Sequence, residues 1–319
     1  MSLSIHGLHH VTAIASDPQR NLDFYVGLLG LRLVKRTVNF DDPGTYHFYF
    51  GDARGTPGTI LTFFPWPDAR PGIRGAGEID AIAFAIGPES AGYWLERLKA
   101  HGVGAERGPR RFGEEMIRFS DPDGLSIELI AAPLEAGTEP WPGSTVPVEH
   151  SIRGFRGASA ALGNCERTAN LLTEVFGYRA VEEADGRFRF AAPGEAGPGK
   201  TLDLIRMPDR APGRAGAGSV HHIAFRTPDD ERQRACREFL VKSGYHLSPV
   251  MDRSYFHSIY FREPGGVLFE IATDPPGFTT DELPEELGLN LRLPPRLERM
   301  RPQIEAMLPP VTLPEGTTG

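Results

Sequence analysis

The chain has 319 residues, of which 40% are hydrophobic and 24% are charged, and its net charge is -8 at pH 7. This length corresponds to about two domains, and the acidic balance argues against nucleic acid or an anionic membrane surface as the main partner. The 2 cysteines, the absence of a signal peptide and the absence of a long apolar run predict a soluble cytoplasmic protein.

The predicted elements follow the same order in four successive parts of the chain. In the first part, a strand at GLHHVTAI precedes a helical segment, NLDFYVGLLG, and three strands at LRLVKRTVNF, TYHFYFG and GTILTFFPW. The later parts begin with strands at GEIDAIAFAI, GFRGASAAL and GSVHHIAFRT, and each continues into a stretch with apolar residues at three- and four-residue steps. The order predicts four βαβββ modules, at residues 5–66, 76–133, 150–208 and 217–275.

Two segments outside the modules differ from them in composition. Residues 134–149 are polar and rich in proline and glycine, which is typical of a linker. Residues 276–319 form a proline-rich C-terminal tail with one predicted helix, around Arg296–Met307. We therefore predict an α+β fold of two domains with two modules each, at residues 1–133 and 150–275.

The second and fourth modules align closely enough to compare single positions. The triplet Ile-Ala-Phe at 82–84 aligns with the same triplet at 223–225, and DPDGLSIELIAAP aligns with EPGGVLFEIATDP further along the chain. This alignment places Glu128 opposite Glu270.

Two modules carry a pair of histidines on the first strand, His9-His10 and His221-His222. Adjacent strand residues point to opposite faces, so only one histidine of each pair is expected to face a shared cleft. The alignment of the modules gives two sets of equivalent positions, which are His10, Ala81, Gly157 and His222 on the first strand and Thr62, Glu128, Asp203 and Glu270 on the last.

If the first and fourth modules face each other, His10, His222 and Glu270 meet, with Thr62 in the place of a fourth ligand. Two imidazoles, one carboxylate and open positions are typical of non-haem Fe(II) centres that react with O2. Glu128 lacks a histidine in its own module, as does Asp203, so both are interpreted as rim or salt-bridging carboxylates.

A repeated βαβββ unit with a first-strand histidine and a last-strand glutamate resembles the vicinal oxygen chelate superfamily, which includes glyoxalase I and extradiol dioxygenases. LHHVTAIASDPQRNLDFYVGLLGLRLVKRTVNFDDPGTYHFYFGD resembles the opening of the bacterial hydroquinone-type ring-cleaving dioxygenases, and DRSYFHSIYFREPGGVLFEIATDPPGF resembles their closing segment. The resemblance implies that His10, His222 and Glu270 hold Fe(II). Mn(II) stays open as the native metal, because it accepts nearly the same ligands. The resemblance also implies catalytic roles beside the metal for His9, Thr12, His221, Arg253 and Tyr260.

Strand alternation supports part of this second set. Thr12 shares a face with His10, so its hydroxyl is expected to reach the cleft. Tyr260 is suited to manage a substrate hydroxyl proton, and Arg253 to stabilise a phenolate; a core tyrosine and a surface arginine remain as alternatives. His9 and His221 are expected behind the ligands, against a helix, whereas His47 is interpreted as a structural or surface residue.

The leading interpretation is an Fe(II)-dependent dioxygenase that uses O2 to open a dihydroxylated aromatic ring, a hydroquinone. A catechol-type extradiol enzyme, a glyoxalase-like lyase or isomerase and a non-catalytic small-molecule-binding protein stay open. Thr62, a poor fourth ligand, disfavours the glyoxalase-like alternative, and the intact ligand set disfavours the binding protein. The sequence does not decide whether the first module meets the fourth within one chain or between chains, and the resemblance implies a homo-oligomer such as a dimer.

Overall fold

The computed structural model describes residues 3, 5–134 and 136–317. The first domain is predicted to begin at residue 1 and the C-terminal tail to end at residue 319. Both of these residues, and residue 135 of the predicted linker, lie outside the described residues. Within the described part, sixteen strands and four of the five α-helices follow the βαβββ order four times. The predicted α+β fold of four βαβββ modules is therefore confirmed.

The elements of the first two modules are β1 (Leu8–Ala15), α1 (Pro18–Leu22), β2 (Arg32–Asn39), β3 (Asp42–Gly51), β4 (Ile60–Pro65), β5 (Glu78–Ile86), α2 (Ala91–Ala100), β6 (Glu106–Arg107), β7 (Glu115–Ser120) and β8 (Ser126–Ala131). Those of the last two are β9 (Phe155–Leu162), α3 (Glu166–Asn170), β10 (Arg179–Ala184), β11 (Arg187–Ala191), β12 (Thr201–Arg206), β13 (Val220–Thr227), α4 (Asp230–Lys242), β14 (Met251–Asp252), β15 (Phe256–Arg262) and β16 (Leu268–Pro276). Helices α1 and α3 continue as π-helical turns over Asp23–Leu28 and Leu171–Val175.

Local sequence signals account for where two of the helices begin. The Asp17 carboxylate accepts a hydrogen bond from the Arg20 backbone N–H at the start of α1, and Pro18 occupies the first turn. The Asp229 carboxylate caps α4 in the same way. Among the described residues, no helix combines the length and the hydropathy needed to cross a bilayer.

The strands form two eight-stranded sheets, and each sheet draws on both halves of the chain. The first sheet has the order β14-β15-β16-β13-β1-β4-β3-β2 and the second β10-β11-β12-β9-β5-β8-β7-β6. Antiparallel pairing of β1 with β13 joins the first module to the fourth, and pairing of β5 with β9 joins the second to the third. The division into domains at residues 1–133 and 150–275 stays a prediction.

The first sheet curls so far that its two edges meet. At about 4.8 Å per strand, the edges of a flat sheet of eight strands lie roughly 30 Å apart. Asp41, in the turn between β2 and β3, nevertheless contacts Arg253, which follows β14 at the other edge, at 3.1 Å. The sheet therefore encloses a space on its concave side.

Each central strand pair contains two bulges. In the β1–β13 pair the register shifts leave His9 and His221 as extra residues, and in the β5–β9 pair they leave Asp80 and Arg156 at the equivalent places. Because the second sheet has no histidines at these places, the bulges belong to the module junction and do not depend on the histidine pairs. Bulges re-aim neighbouring side chains, so these shifts affect which residues reach the concave side.

Ion pairs of a buried lysine join the C-terminal tail to the first sheet. The Lys35 ammonium group is fully buried in β2 and lies 2.5 Å from the Glu282 carboxylate and 2.6 Å from that of Asp281. The predicted helix is present as α5 (Arg301–Met307), which begins later than expected and has Pro302 in its first turn.

One buried carboxyl links the first module to the second. Tyr25 donates a hydrogen bond of 3.0 Å to Asp121 Oδ2, while Asp121 Oδ1 accepts backbone N–H groups from Asp123 and Leu125 at 2.9 and 2.8 Å. Burial raises the pKa of Asp121 from 3.8 to about 6, against the lowering effect of the hydrogen bonds from Leu125 and Tyr25.

This raised pKa predicts a pH dependence of stability. Between about pH 4 and pH 6 the folded protein retains a proton on Asp121 that the unfolded chain has lost, so the free energy of unfolding falls by about 3 kcal/mol as the pH rises. Asp121→Asn removes this contribution. Urea unfolding at pH 4, 5, 6 and 7 should show the variant gaining stability relative to the wild type as pH rises; parallel curves would contradict the prediction.

Candidate metal centre

Three strands of the first sheet bring His10, His222 and Glu270 together. The register places His10 beside Ala224 and Ala224 beside Glu270 on adjacent strands, and His222 lies two residues before Ala224 on the middle one. His222 Nε2 lies 2.9 Å from Glu270 Oε2, His10 Nε2 lies 3.3 Å from the same oxygen, and the two Nε2 atoms are 3.4 Å apart. All three side chains are buried.

The neighbouring histidine of each pair orients its partner. His9 Nδ1 lies 2.9 Å from His10 Nδ1, and His221 Nδ1 lies 2.7 Å from His222 Nδ1. Burial lowers the pKa of His9 well below its ordinary value and that of His221 to about 4, so both are neutral and able to accept a hydrogen bond at neutral pH. A ligand histidine that donates from Nδ1 has Nε2, the nitrogen nearer Glu270, free to bind a metal.

Glu270 remains ionised in a buried position. Burial by itself raises the pKa of its carboxyl, but with no metal bound the positive charge that His10 and His222 can carry holds the pKa well below the usual range. Ser258 donates a hydrogen bond to Oε1. Oε2, however, has no hydrogen-bond partner among the described residues although both Nε2 atoms approach it.

These residues fit a divalent metal ion. Donor atoms bound at right angles to one ion through bonds of about 2.1 Å are about 3 Å apart, close to the three separations in this cluster. The buried Glu270 Oε2 lies close to two imidazole nitrogens and has no hydrogen-bond partner among the described residues, so it is also suited to binding a cation. Among the described residues, this is the one group of at least three histidine, cysteine or acidic side chains with the required spacing. The donor set is that of a two-histidine, one-carboxylate site.

A cavity of about 370 Å³ opens onto the two ligand histidines. Its walls are largely aromatic and comprise Phe40, Tyr49, Phe64, Trp66, Phe256 and Tyr260. Its polar residues besides the ligands are Asn39, Asp41, His47, His221 and Arg253, and Leu268 completes the lining. A wider cleft of about 1140 Å³ beside Asp121 shares none of these residues, so the smaller cavity is the candidate substrate site.

Tyr260 and Arg253 both line the cavity. The Tyr260 ring packs edge-on against His222, with ring centroids 5.6 Å apart, and Arg253 Nε donates to the Tyr260 hydroxyl at 3.3 Å. Burial and the nearby Glu270 carboxylate raise the pKa of Tyr260 above its usual range, and Arg253 opposes that shift. Tyr260 is therefore protonated at neutral pH.

Two of the expected placements were wrong. Thr12 lies on the same strand face as His10, but it does not line the cavity. Because β1 and β4 place Thr12 beside Thr62, the two hydroxyl groups are hydrogen-bonded at 2.8 Å. His221 lines the cavity and is open to solvent on that side, although the surrounding protein desolvates its ring enough to lower its pKa. His9 is buried, and its ring packs on Phe256 of β15, with ring centroids 5.0 Å apart.

His47, interpreted from the sequence as a structural or surface residue, lies at the site instead. Its Nε2 lies 2.9 Å from the Thr62 hydroxyl, its Nδ1 lies 3.0 Å from the Tyr49 hydroxyl, and it forms part of the cavity wall. Burial lowers the pKa of His47 well below its ordinary value. Alternation along TYHFYF puts His47 and Tyr49 on one face, a signal that would have found them once β3 was placed beside β4.

The equivalent positions of the second sheet hold salt bridges. Glu128 contacts Arg111 at 2.6 Å, and Asp203 contacts Arg189 at 2.8 Å and Arg187 at 3.0 Å. The interpretation of Glu128 and Asp203 as salt-bridging carboxylates agrees with these contacts.

Comparisons with known proteins agree with the fold. The family model of the Glyoxalase/Bleomycin resistance protein/Dioxygenase superfamily matches residues 7–129 and 158–271. The chain is 44% identical to the "Putative ring-cleaving dioxygenase MhqO" of Bacillus subtilis (strain 168), covering 97% of this chain and 98% of that protein. It is 37% identical to the chlorohydroquinone/hydroquinone 1,2-dioxygenase of Sphingobium indicum, covering 94% and 95%.

A solved structure is equally similar. The crystal structure of a "putative dioxygenase" from Bacillus subtilis subsp. subtilis str. 168 superposes with a TM-score of 0.94 at 43% identity, covering 98% of this chain and 100% of that one. The chain therefore belongs to the glyoxalase/bleomycin resistance protein/dioxygenase superfamily and, within it, to the ring-cleaving dioxygenases.

Proposed function

We propose that the protein uses Fe(II), held by His10, His222 and Glu270, and O2 to cleave the ring of a hydroquinone. The observation that carries this proposal is a two-histidine, one-carboxylate cluster at the inner end of an aromatic cavity. Similarity to a chlorohydroquinone/hydroquinone 1,2-dioxygenase supports the substrate class. Mn(II) accepts nearly the same ligands, so reconstitution with each metal separates the two.

The cavity size favours a substrate with a single ring. A cavity of about 150 Å³ holds one benzene molecule, and the volume of about 370 Å³ leaves room for hydroxyl groups, a small substituent and O2. Phe64 and Trp66, with ring centroids 5.2 Å apart, form one apolar wall, and Tyr49 and Phe256 lie among the other lining residues. These rings are suited to hold a flat substrate by stacking and edge contacts.

The residues around the cluster divide the remaining tasks. Bound Fe(II) would supply adjacent positions for a substrate oxygen and O2 and a path for electrons from the aromatic ring to O2. Tyr260, which keeps its proton, is placed to donate a hydrogen bond to a substrate oxygen beside His222. The Arg253 guanidinium stabilises negative charge that develops on that oxygen, and the aromatic walls limit the access of water.

The glyoxalase-like alternative finds no support at the fourth position. The Thr62 hydroxyl is already bonded to Thr12 at 2.8 Å and to His47 at 2.9 Å. A metal ligand there would have to give up these contacts.

The test is O2 uptake by protein reconstituted anaerobically with Fe(II) and then offered hydroquinone, methylhydroquinone, chlorohydroquinone and catechol. We expect uptake near one O2 per ring and a ring-opened product with at least one hydroquinone. Preference for catechol would replace the hydroquinone assignment with the catechol-type one. Bound metal without uptake on any of the four would contradict ring cleavage and favour a glyoxalase-like reaction.

We also propose a cytoplasmic location and a homodimer, the two remaining expectations from the sequence. Light scattering after size-exclusion chromatography tests the dimer, and a monomeric mass would contradict it.

A further inference from the structure

Each of the two sheets has an arginine at an equivalent position of an equivalent loop. Arg111 lies between β6 and β7 and Arg253 between β14 and β15, and each precedes the last-strand glutamate of its module by 17 residues. Each is followed by a residue with a positive φ angle, Phe112 at 49° and Ser254 at 68°. The backbone therefore presents both arginines in the same way to equivalent carboxylates.

The two arginines nevertheless make different contacts. Arg111 binds Glu128 through two hydrogen bonds, of 2.6 and 2.9 Å, so its guanidinium neutralises that buried carboxylate. Arg253 instead donates to the Tyr260 hydroxyl at 3.3 Å and to Asp41 Oδ2 at 3.1 Å. Glu270, the counterpart of Glu128, is left to the two ligand histidines and Ser258.

Asp41 pairs with Arg253, whereas the contacts of Arg111 within the described residues include no acidic residue from the equivalent turn. Asp41 comes from the β2–β3 turn at the opposite edge of the curled sheet, and it lines the cavity. The equivalent turn of the second sheet, between β10 and β11, contains the exposed Asp185. There, Arg111 pairs with the last-strand glutamate.

We propose that Asp41 is a positioning residue that holds Arg253 over the cavity and away from Glu270. Glu270 then stays available to the metal, and the guanidinium faces the substrate oxygen. This inference rests on the proposed function of the same cavity. Without the charge of Asp41, Arg253 turns onto Glu270 as Arg111 does onto Glu128, because a bidentate pair with a buried carboxylate is the stronger contact.

The test compares Mn(II) affinity in four proteins, which are the wild type, Asp41→Asn, Arg253→Met and the double variant. The asparagine is isosteric and the site is on the surface of a turn, so the fold is retained. We expect Asp41→Asn to weaken Mn(II) binding about tenfold, the usual effect of losing a residue that orients a metal site. In the Arg253→Met background the same change should alter affinity less than about twofold, because the coupling is lost.

Steady-state kinetics give a second readout, in which Asp41→Asn raises KM for hydroquinone more than it lowers kcat. Asp185→Asn is the matched control in the equivalent turn and should change neither quantity. Unchanged Mn(II) affinity in Asp41→Asn, or an equal loss with and without Arg253, would overturn the role of Asp41. A wild type that binds Mn(II) but consumes no O2 after Fe(II) loading would refute ring cleavage, and the Mn(II) comparison would still decide the role of Asp41.

Discussion

Replacement of His10, His222 or Glu270 with alanine is expected to remove most of the bound metal and to lower ring-cleaving turnover roughly a thousandfold or more. Each residue supplies one of three donor atoms that lie within 4.8 Å of one another, so two donors remain in each variant. A metal that polarises substrate contributes several kcal/mol to the reaction, and about 4 kcal/mol corresponds to that factor. Elemental analysis of reconstituted protein and O2 uptake measure the two effects.

Glu128→Gln provides the matched control for this experiment. Glu128 occupies the equivalent position in the second sheet, is equally buried and pairs with Arg111 instead of histidines. Its replacement should leave metal content unchanged, although loss of the ion pair lowers stability. Normal metal content in an alanine variant would remove that residue from the centre, and a large loss in Glu128→Gln would show that the second sheet also holds metal.

Tyr260→Phe is expected to lower kcat about a hundredfold while leaving metal content unchanged, since positioned proton donors and acceptors contribute factors of about 100 to 10,000. The change removes the hydroxyl that Arg253 contacts and keeps the ring that packs against His222. Because burial raises the pKa of Tyr260, ionisation of its hydroxyl should not limit kcat between about pH 6 and pH 9. Single-turnover measurements at saturating hydroquinone separate the chemical step from product release.

The control for this variant is Tyr245→Phe. Tyr245 is a partly buried tyrosine that packs on Phe261, with ring centroids 5.4 Å apart, and it lies outside the cavity. It should retain wild-type kcat. A Tyr260→Phe protein with wild-type kcat would leave Tyr260 a packing role and would require a different proton donor, for which the cavity offers His47 and His221.

The sequence by itself determined the repeated module and the three residues that converge at the site. Short alternating strands and one helix recur four times, and this pattern is local, so it survives in the sequence. Comparison of the repeats then singled out His10, His222 and Glu270, because the equivalent places in the other modules hold residues such as Ala81 and Gly157 that cannot bind a metal.

Tertiary structure alone decided how the modules combine and which neighbours surround the cluster. Pairing of β1 with β13 joins the first and fourth modules within one chain, and the bulges at that junction bring His221 into the cavity. The contact between Asp41 and Arg253 depends on the curl of a whole sheet. Alternation along a strand predicts only which side a residue faces. Strand register, bulges and sheet curvature are set by contacts between distant segments, so no local pattern specified them.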